Sequence, residues 1–432
     1  MGAEYQQTGA QNIDVGIVST LAFYLLQGKN EKVFTEDEFE AIVQGFAHEK
    51  KIQISKSELL RRMLDTKIFK EVPGFTGMYR FRYPYMFYFF AGRYIAYNPQ
   101  QELVQKMVEH MSGRLYNEDY GNIIIFVCHF ANSQKVIEEI LGNAYVTLDN
   151  YQPFVFEKSN PLFDDIQSVI EALLPENVGS NEDVREHQSQ KLRTMDAVGV
   201  MDGHVEEGRD TIDEEANMES DLVAVTASIK TLEVLGQILQ NYPADIEGQL
   251  KVDIIAEIHS LGMRAVQAIV ETMGYAEEGL VNAVIERAKE NNKTFSRDEI
   301  VLATRKFVTM LISGMVSGMV HMVASTMNSP FLLVAATEAL ANENTISAQL
   351  VLQELKMNYL KRPDVDALEK LNNELLKANN RFAQFVLTNS VSNYLRYNQC
   401  DYRVRSRLCQ TFKLSEKKAY LLSQKTLSIE GK

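Results

Sequence analysis

Apolar side chains occupy most of the helical wheel over residues 13–27, IDVGIVSTLAFYLLQ. Such a distribution predicts a largely buried helix. The polar residues 1–12 before it are expected to form a disordered tail. Gly28-Lys29-Asn30 breaks the run. Thr35 then opens T-E-D-E with Glu38 three residues on, a capping box in which hydroxyl and carboxylate each satisfy an orphan amide. Phe39, Ile42, Val43 and Phe46 make the apolar stripe of the helix that follows. Ser55 and Glu58 predict a second capping box, with Leu59, Leu60, Met63 and Leu64 at helical spacing behind it.

The period then changes from helical to alternating. IFKEV (68–72) predicts a short strand and PGFTG (73–77) a turn. MYRFRY (78–83) alternates, with Tyr79, Phe81 and Tyr83 on one face and Met78, Arg80 and Arg82 on the other. Together these spell a β-hairpin. Helix, turn, helix, hairpin is the layout of a winged helix. Pro84 suits the first turn of the next helix, YMFYFFAGRYIAYN (85–98). Its Phe87, Phe90, Tyr94 and Tyr97 recur every three or four residues and should lock it onto the hairpin. Tyr79, Phe81, Tyr83, Phe87, Phe90 and Tyr94 are the expected structural aromatic cluster. Helices are predicted at 101–112 and 119–129, although NIIIFVCHF also reads as a strand because it is short and β-branched.

A winged-helix-like domain over 13–98 and a helical extension over 99–175 follow from this. Residues 176–220 hold few large apolar side chains, and such a stretch buries too little surface to offset its chain entropy. It is expected to be an acidic linker or mobile loop. From 221 to 432 only helical periods appear, with stripes at 222–240, 247–273, 276–290, 296–327, 331–341, 344–360 and 365–396. No fixed repeat period emerges. The fold class expected is mainly α, with one β-hairpin near the N-terminus.

Charge sharpens this division. The net charge of −14 is uneven: Glu176–Glu219 carries thirteen acidic and four basic residues, whereas Lys356–Lys432 carries fifteen basic and seven acidic. An anionic partner at the C-terminal end is therefore compatible with the acidic total. Arg396, Arg403, Arg405, Arg407, Lys413, Lys417 and Lys418, interleaved with tyrosines, are candidate contacts to nucleic acid or another partner, as are Arg80 and Arg82. One further run changes the picture. No Asp, Glu, Lys or Arg occurs from Phe307 to Thr337, and residues 307–327 are long enough to span a bilayer. Five Ser/Thr residues and His321 dilute the run. A buried core helix is the reading preferred over a membrane segment.

Candidate chemistry is sparse. There is no GxxxxGK[ST], GxGxxG, GxSxG or HExxH in the sequence. The histidines never fall three or four apart, and Cys128, Cys400 and Cys409 form no CxxC pair. Neither a metal nor a cofactor is expected. Cys128 and His129 adjoin, but neighbours in sequence point to different sides. Asp202–Glu215 lacks the ligand order of a calcium loop. The N-terminus has no basic region followed by an apolar run. With few cysteines, this argues for a reducing, cytoplasmic setting.

Residues 35–98 include Tyr79-Arg80-Phe81-Arg82-Tyr83-Pro84-Tyr85, then Phe87-Tyr88-Phe89-Phe90 and Arg93-Tyr94-Ile95-Ala96. This segment resembles the winged-helix region that follows the nucleotide-binding core of bacterial STAND (NACHT-like) NTPases. Residues 116–144 resemble what comes next in such proteins. The resemblance implies a defence or signalling switch in which a sensor, a nucleotide core and an effector cooperate. Both nucleotide-binding motifs are missing from this sequence, so no nucleotide-contacting residue carries over. The resemblance then implies a non-enzymatic regulatory, sensor or assembly module. Its partner would be a protein, an NTPase or an effector subunit, and an oligomer would fit. A winged-helix nucleic-acid binder is the alternative, and a membrane-active effector acting through 307–327 the second.

Overall fold

The computed structural model describes residues 2–28, 32–131, 134–156, 221–290 and 296–415. The protein is mainly helical, with a small three-stranded antiparallel sheet near the N-terminus. It divides into two compact units, Met1–Ala144 and Tyr145–Lys432. The acidic segment 176–220, Lys417 and Lys418 lie outside the described residues.

In the first unit α1 runs from Gly2 to Gly28. The tail expected over 1–12 is thus helical from Gly2, and its Ala, Glu and Gln residues are good helix formers. After β1 (Val33–Thr35), α2 (Glu36–Lys50) begins with the predicted capping box. The Thr35 hydroxyl accepts from the Glu38 amide at 3.2 Å, and Glu38 Oε2 accepts from the Thr35 amide at 2.8 Å. α3 (Lys56–Asp65) begins after Ser55, but the Ser55 side chain makes no capping bond. That second capping box is therefore absent; Ser55 lines an open cleft with Gln44, Ala47, Ile52, Gln53 and Ile54.

The sheet order is β1-β3-β2, with β2 at Phe69–Glu71 and β3 at Met78–Phe81. The hairpin is present, and β1 adds an unpredicted strand on its other side. α4 (Pro84–Tyr97) follows, then α5 (Glu102–Ser112), α6 (Glu118–Ala131) and α7 (Gln134–Val146). The ambiguous NIIIFVCHF run is helical. α4 and α6 approach closely at Gly92, where a Cβ would lie 2.6 Å from that of Phe126 and 3.0 Å from the Ile123 carbonyl oxygen. Residues 99–144 of the expected extension fall in the same unit as the sheet, and the chain from Tyr145 onward falls in the second.

The second unit comprises α8 (Asp221–Asn241), α9 (Gly248–Glu290), α10 (Arg297–Thr326), a 3-10 turn at Pro330–Leu332, α11 (Leu333–Glu343) and α12 (Ile346–Glu354). A π-helical turn, Leu355–Tyr359, extends α12, followed by α13 (Val365–Lys377), α14 (Arg381–Tyr397) and α15 (Tyr402–Thr411). α9 is continuous through Gly274, where the sequence suggested a break; a helical Gly costs only about 1 kcal/mol. The single helix expected over 365–396 is interrupted. Asn379 adopts a left-handed φ of 51° and the Asn380 side chain caps α14 on the Ala383 amide at 3.1 Å.

Candidate functional site

Phe69 is the centre of the sheet's inner face. Its ring lies 5.0 Å from Phe34, 5.9 Å from Phe39 and 5.1 Å from Phe81, all edge-on. Phe81 carries the contact onward to Phe87 at 5.8 Å and Phe90 at 6.0 Å, while Tyr79 lies 5.9 Å from Phe34. All these rings are buried. Strand alternation points Phe69, Tyr79 and Phe81 inward, and the α-helical period returns Phe87 and Phe90 to the same place. Each edge-on pair adds about 0.5–1.5 kcal/mol beyond its area burial. Burial first, then the charges of Glu36 and Glu71, raises the Tyr79 hydroxyl above its usual pKa. The cluster is an apolar joint of buried, mutually packed rings.

Two expected members depart from it. Tyr94 stacks on Phe23 of α1, 4.3 Å between centroids and 15° between planes. Tyr83 is 45% exposed, because β3 ends at Phe81 and residue 83 serves as the N-cap of α4, outside the strand alternation. Phe34 was not anticipated, since a strand as short as β1 leaves no alternation to read.

The outer face of the sheet is basic. Val33, Arg80 and Lys70 form a cross-strand row, and just past the end of β3 the Arg82 amide donates to the Ile68 carbonyl at 2.8 Å. The Arg82 guanidinium lies 5.6 Å from the Tyr83 ring centroid. Tyr83 in turn stacks on Tyr85, 5.6 Å away with planes 13° apart. Both tyrosines are exposed, Tyr85 at 56%. Lys70 and Tyr85 were missing from the sequence-derived set; strand register and the helix start bring them in.

The described C-terminal basic residues sit in different environments. Arg405 is 1% exposed and donates to the Leu395 carbonyl at 2.9 Å, so it serves the core. Arg407 bridges Glu369 and Asp366, with Nη2 2.8 Å from an oxygen of each. Those carboxylates raise the Arg407 pKa, and Arg407 in turn lowers that of Glu369. Arg396, Arg403 and Lys413 are exposed. Charge runs look alike in sequence whether they face water or their own acidic neighbours.

α10 is the described helix long and apolar enough to cross a membrane by length and composition, and half of its most apolar window is buried. Val308, Ile312, Val316, Val320 and Val323 face inward; Phe307, Met310 and Met315 are exposed. The Val323 side chain sits where a Cβ on Gly262 of α9 would lie, 2.6 Å away. Two residues before Val323, His321 Nδ1 is 2.7 Å from Glu354 Oε1 and its Nε2 is 2.7 Å from the Tyr359 hydroxyl. Glu354 is 2% exposed. This trio gave no sequence signal, because its members come from α10, α12 and the π turn.

Among the described residues no group of three His, Cys, Asp or Glu side chains could hold a metal ion. Cys128 is buried, which pushes its thiol up to about 12, and His129 faces outward. A deeply protonated thiol is a poor nucleophile. The family model described as Novel STAND NTPase 4 matches residues 32–91. The match begins at the start of β1 and ends within α4, so it spans the sheet, α2, α3 and the first part of the aromatic helix. It marks a STAND-associated region. No curated protein and no solved structure matches the chain.

Proposed function

We propose that the chain is a non-catalytic regulatory, sensor or assembly module of a STAND-type signalling switch with a role in defence, acting in the cytoplasm through contacts with a protein partner. In this reading residues 13–98 are a winged-helix-like domain lacking its own nucleotide core, and the helical unit beyond supplies the sensing or assembly surface. The observation that carries the reading is the STAND-family match falling on a unit whose side chains are spent on packing: Phe34, Phe39, Phe69, Phe81 and Phe87 are buried against one another. The sequence also lacks a phosphate-cradling GxxxxGK[ST]. The partner this calls for is a P-loop NTPase or the effector subunit it controls.

Nucleotide turnover tests the reading. Purified chain alone is expected to leave ATP and GTP unhydrolysed, and to change the turnover of a P-loop STAND partner when the two are mixed. Hydrolysis that scales with the chain alone and disappears on a single substitution within it would refute the proposal.

A further inference from the structure

We propose that the outward face of α10 is a self-association surface, on which a second copy of this chain packs antiparallel, helix against helix. Phe307 and Met310 of each copy would lie over Gly318 and Gly314 of the other. This goes beyond the regulatory reading and does not depend on it.

The first observation is a face with a helix-pairing period and nothing packed on it. Ala303, Phe307, Met310, Gly314, Gly318 and His321 recur every three or four residues of α10, and all are exposed. That spacing draws one stripe along a helix, of the kind that meets another helix. The opposite side, with Val308, Ile312, Val316, Val320 and Val323, is already spent on the core. No Asp, Glu, Lys or Arg occurs from Phe307 to Thr337, so the stripe is neutral along most of its length.

The second observation identifies the occupant. The stripe is graded in size: Phe307 and Met310 stand before residue 312, and Gly314 and Gly318 after it. A Cβ on either glycine would meet nothing within 4 Å, so the space above them is open. A two-fold axis near residue 312 sets Met310 against the second copy's Gly314 and Phe307 against its Gly318, and symmetry repeats both contacts. A parallel pair would set Phe307 on Phe307 and leave the glycines facing a gap. Charge agrees with the antiparallel arrangement. A neutral stripe meets no like charge in its own copy, and antiparallel helices bring opposite ends of their macrodipoles together. A bilayer would gain little from Gly314, Gly318 and His321, which offer it almost no apolar side chain. The strip from Ala303 to His321 is about 27 Å long and about 10 Å wide, smaller than a permanent interface, so the pairing is reversible and depends on concentration.

Sedimentation equilibrium of the full chain from about 1 to 200 μM tests this. A monomer–dimer equilibrium is expected. Gly314→Leu and Gly318→Leu should each weaken it by at least about tenfold, because the new side chain fills the space that Met310 or Phe307 of the second copy takes. Both glycines face open space within a helix, so each variant should melt no lower than the parent. Cysteine pairs read the direction. Met310→Cys mixed with Gly314→Cys should oxidise to a mixed dimer faster than either does alone, with the parent setting the background from its own cysteines. Three outcomes overturn the proposal: monomer throughout the range, a dimer that both leucine variants leave intact, or Met310→Cys linking fastest to itself. Flotation of such a monomer with anionic liposomes would hand the face to lipid instead.

Discussion

His321 and Glu354 join α10 to the end of α12 through a 2.7 Å contact between Nδ1 and Oε1. The bond to Glu354 is the largest influence on His321 and raises its pKa above the usual value, against an opposing effect of burial. A histidine raised in the folded state contributes stability that is complete below its unfolded pKa, near 6.5, and is lost as pH climbs through the folded value. Thermal melting followed from mildly acidic to mildly alkaline pH should therefore show a component that declines with rising pH, and His321→Gln should remove it. His321→Ala also strands the buried Glu354 carboxylate, at a cost of about 1–3 kcal/mol. Identical pH profiles for parent and His321→Gln would contradict this account.

His259 behaves in the opposite sense. Its ring is buried, with Nε2 3.0 Å from the Ser347 hydroxyl, and burial lowers its pKa to about 4. The folded protein keeps this imidazole neutral where the unfolded chain would protonate it. Stability is lost as pH falls from about 6.5 towards 4. Denaturant unfolding at pH 7 and pH 5 should give a smaller difference in His259→Gln than in the parent; an equal difference would assign the acid sensitivity elsewhere.

The contact of α4 with α6 depends on Gly92. A methyl group there meets Phe126 Cβ and the Ile123 carbonyl, neither of which is the movable end of a side chain. Gly92→Ala should destabilise the first unit by about 1–3 kcal/mol through overpacking, despite the better helix propensity of Ala. Gly45, also helical but with nothing near its would-be Cβ, is the control: Gly45→Ala should stabilise by about 0.5–1 kcal/mol. Equal effects at the two positions would contradict the packing argument.

How far the sequence could be read follows from where its signals are local. The Thr35 capping box, the hairpin and the aromatic helix are written within a few residues each, and all of them are present. The Ser55 box failed because its two residue types permit the bond without enforcing it. Asn379 and Asn380 broke a helix that the apolar period alone carried through, since left-handed and capping conformations are invisible to periodicity. Site residues fared by the same rule. Tyr79, Phe81, Phe87 and Phe90 follow from alternation and helical spacing. Tyr83 was assigned inward because alternation was extended past the strand's end. Lys70 opposite Arg80, and His321 beside Glu354, are matters of register and helix packing, which no single segment encodes. Arg405 shows the converse, a local charge run hiding a buried, carbonyl-bound guanidinium.

The rings around Phe69 hold the sheet to its helices. Equilibrium denaturant unfolding of Phe69→Ala, compared with the parent, tests it most directly. A buried Phe at the meeting point of Phe34, Phe39 and Phe81 should cost about 3–5 kcal/mol when truncated. An unchanged unfolding midpoint would contradict the account, for it would mean the rings are not the joint that packs this unit.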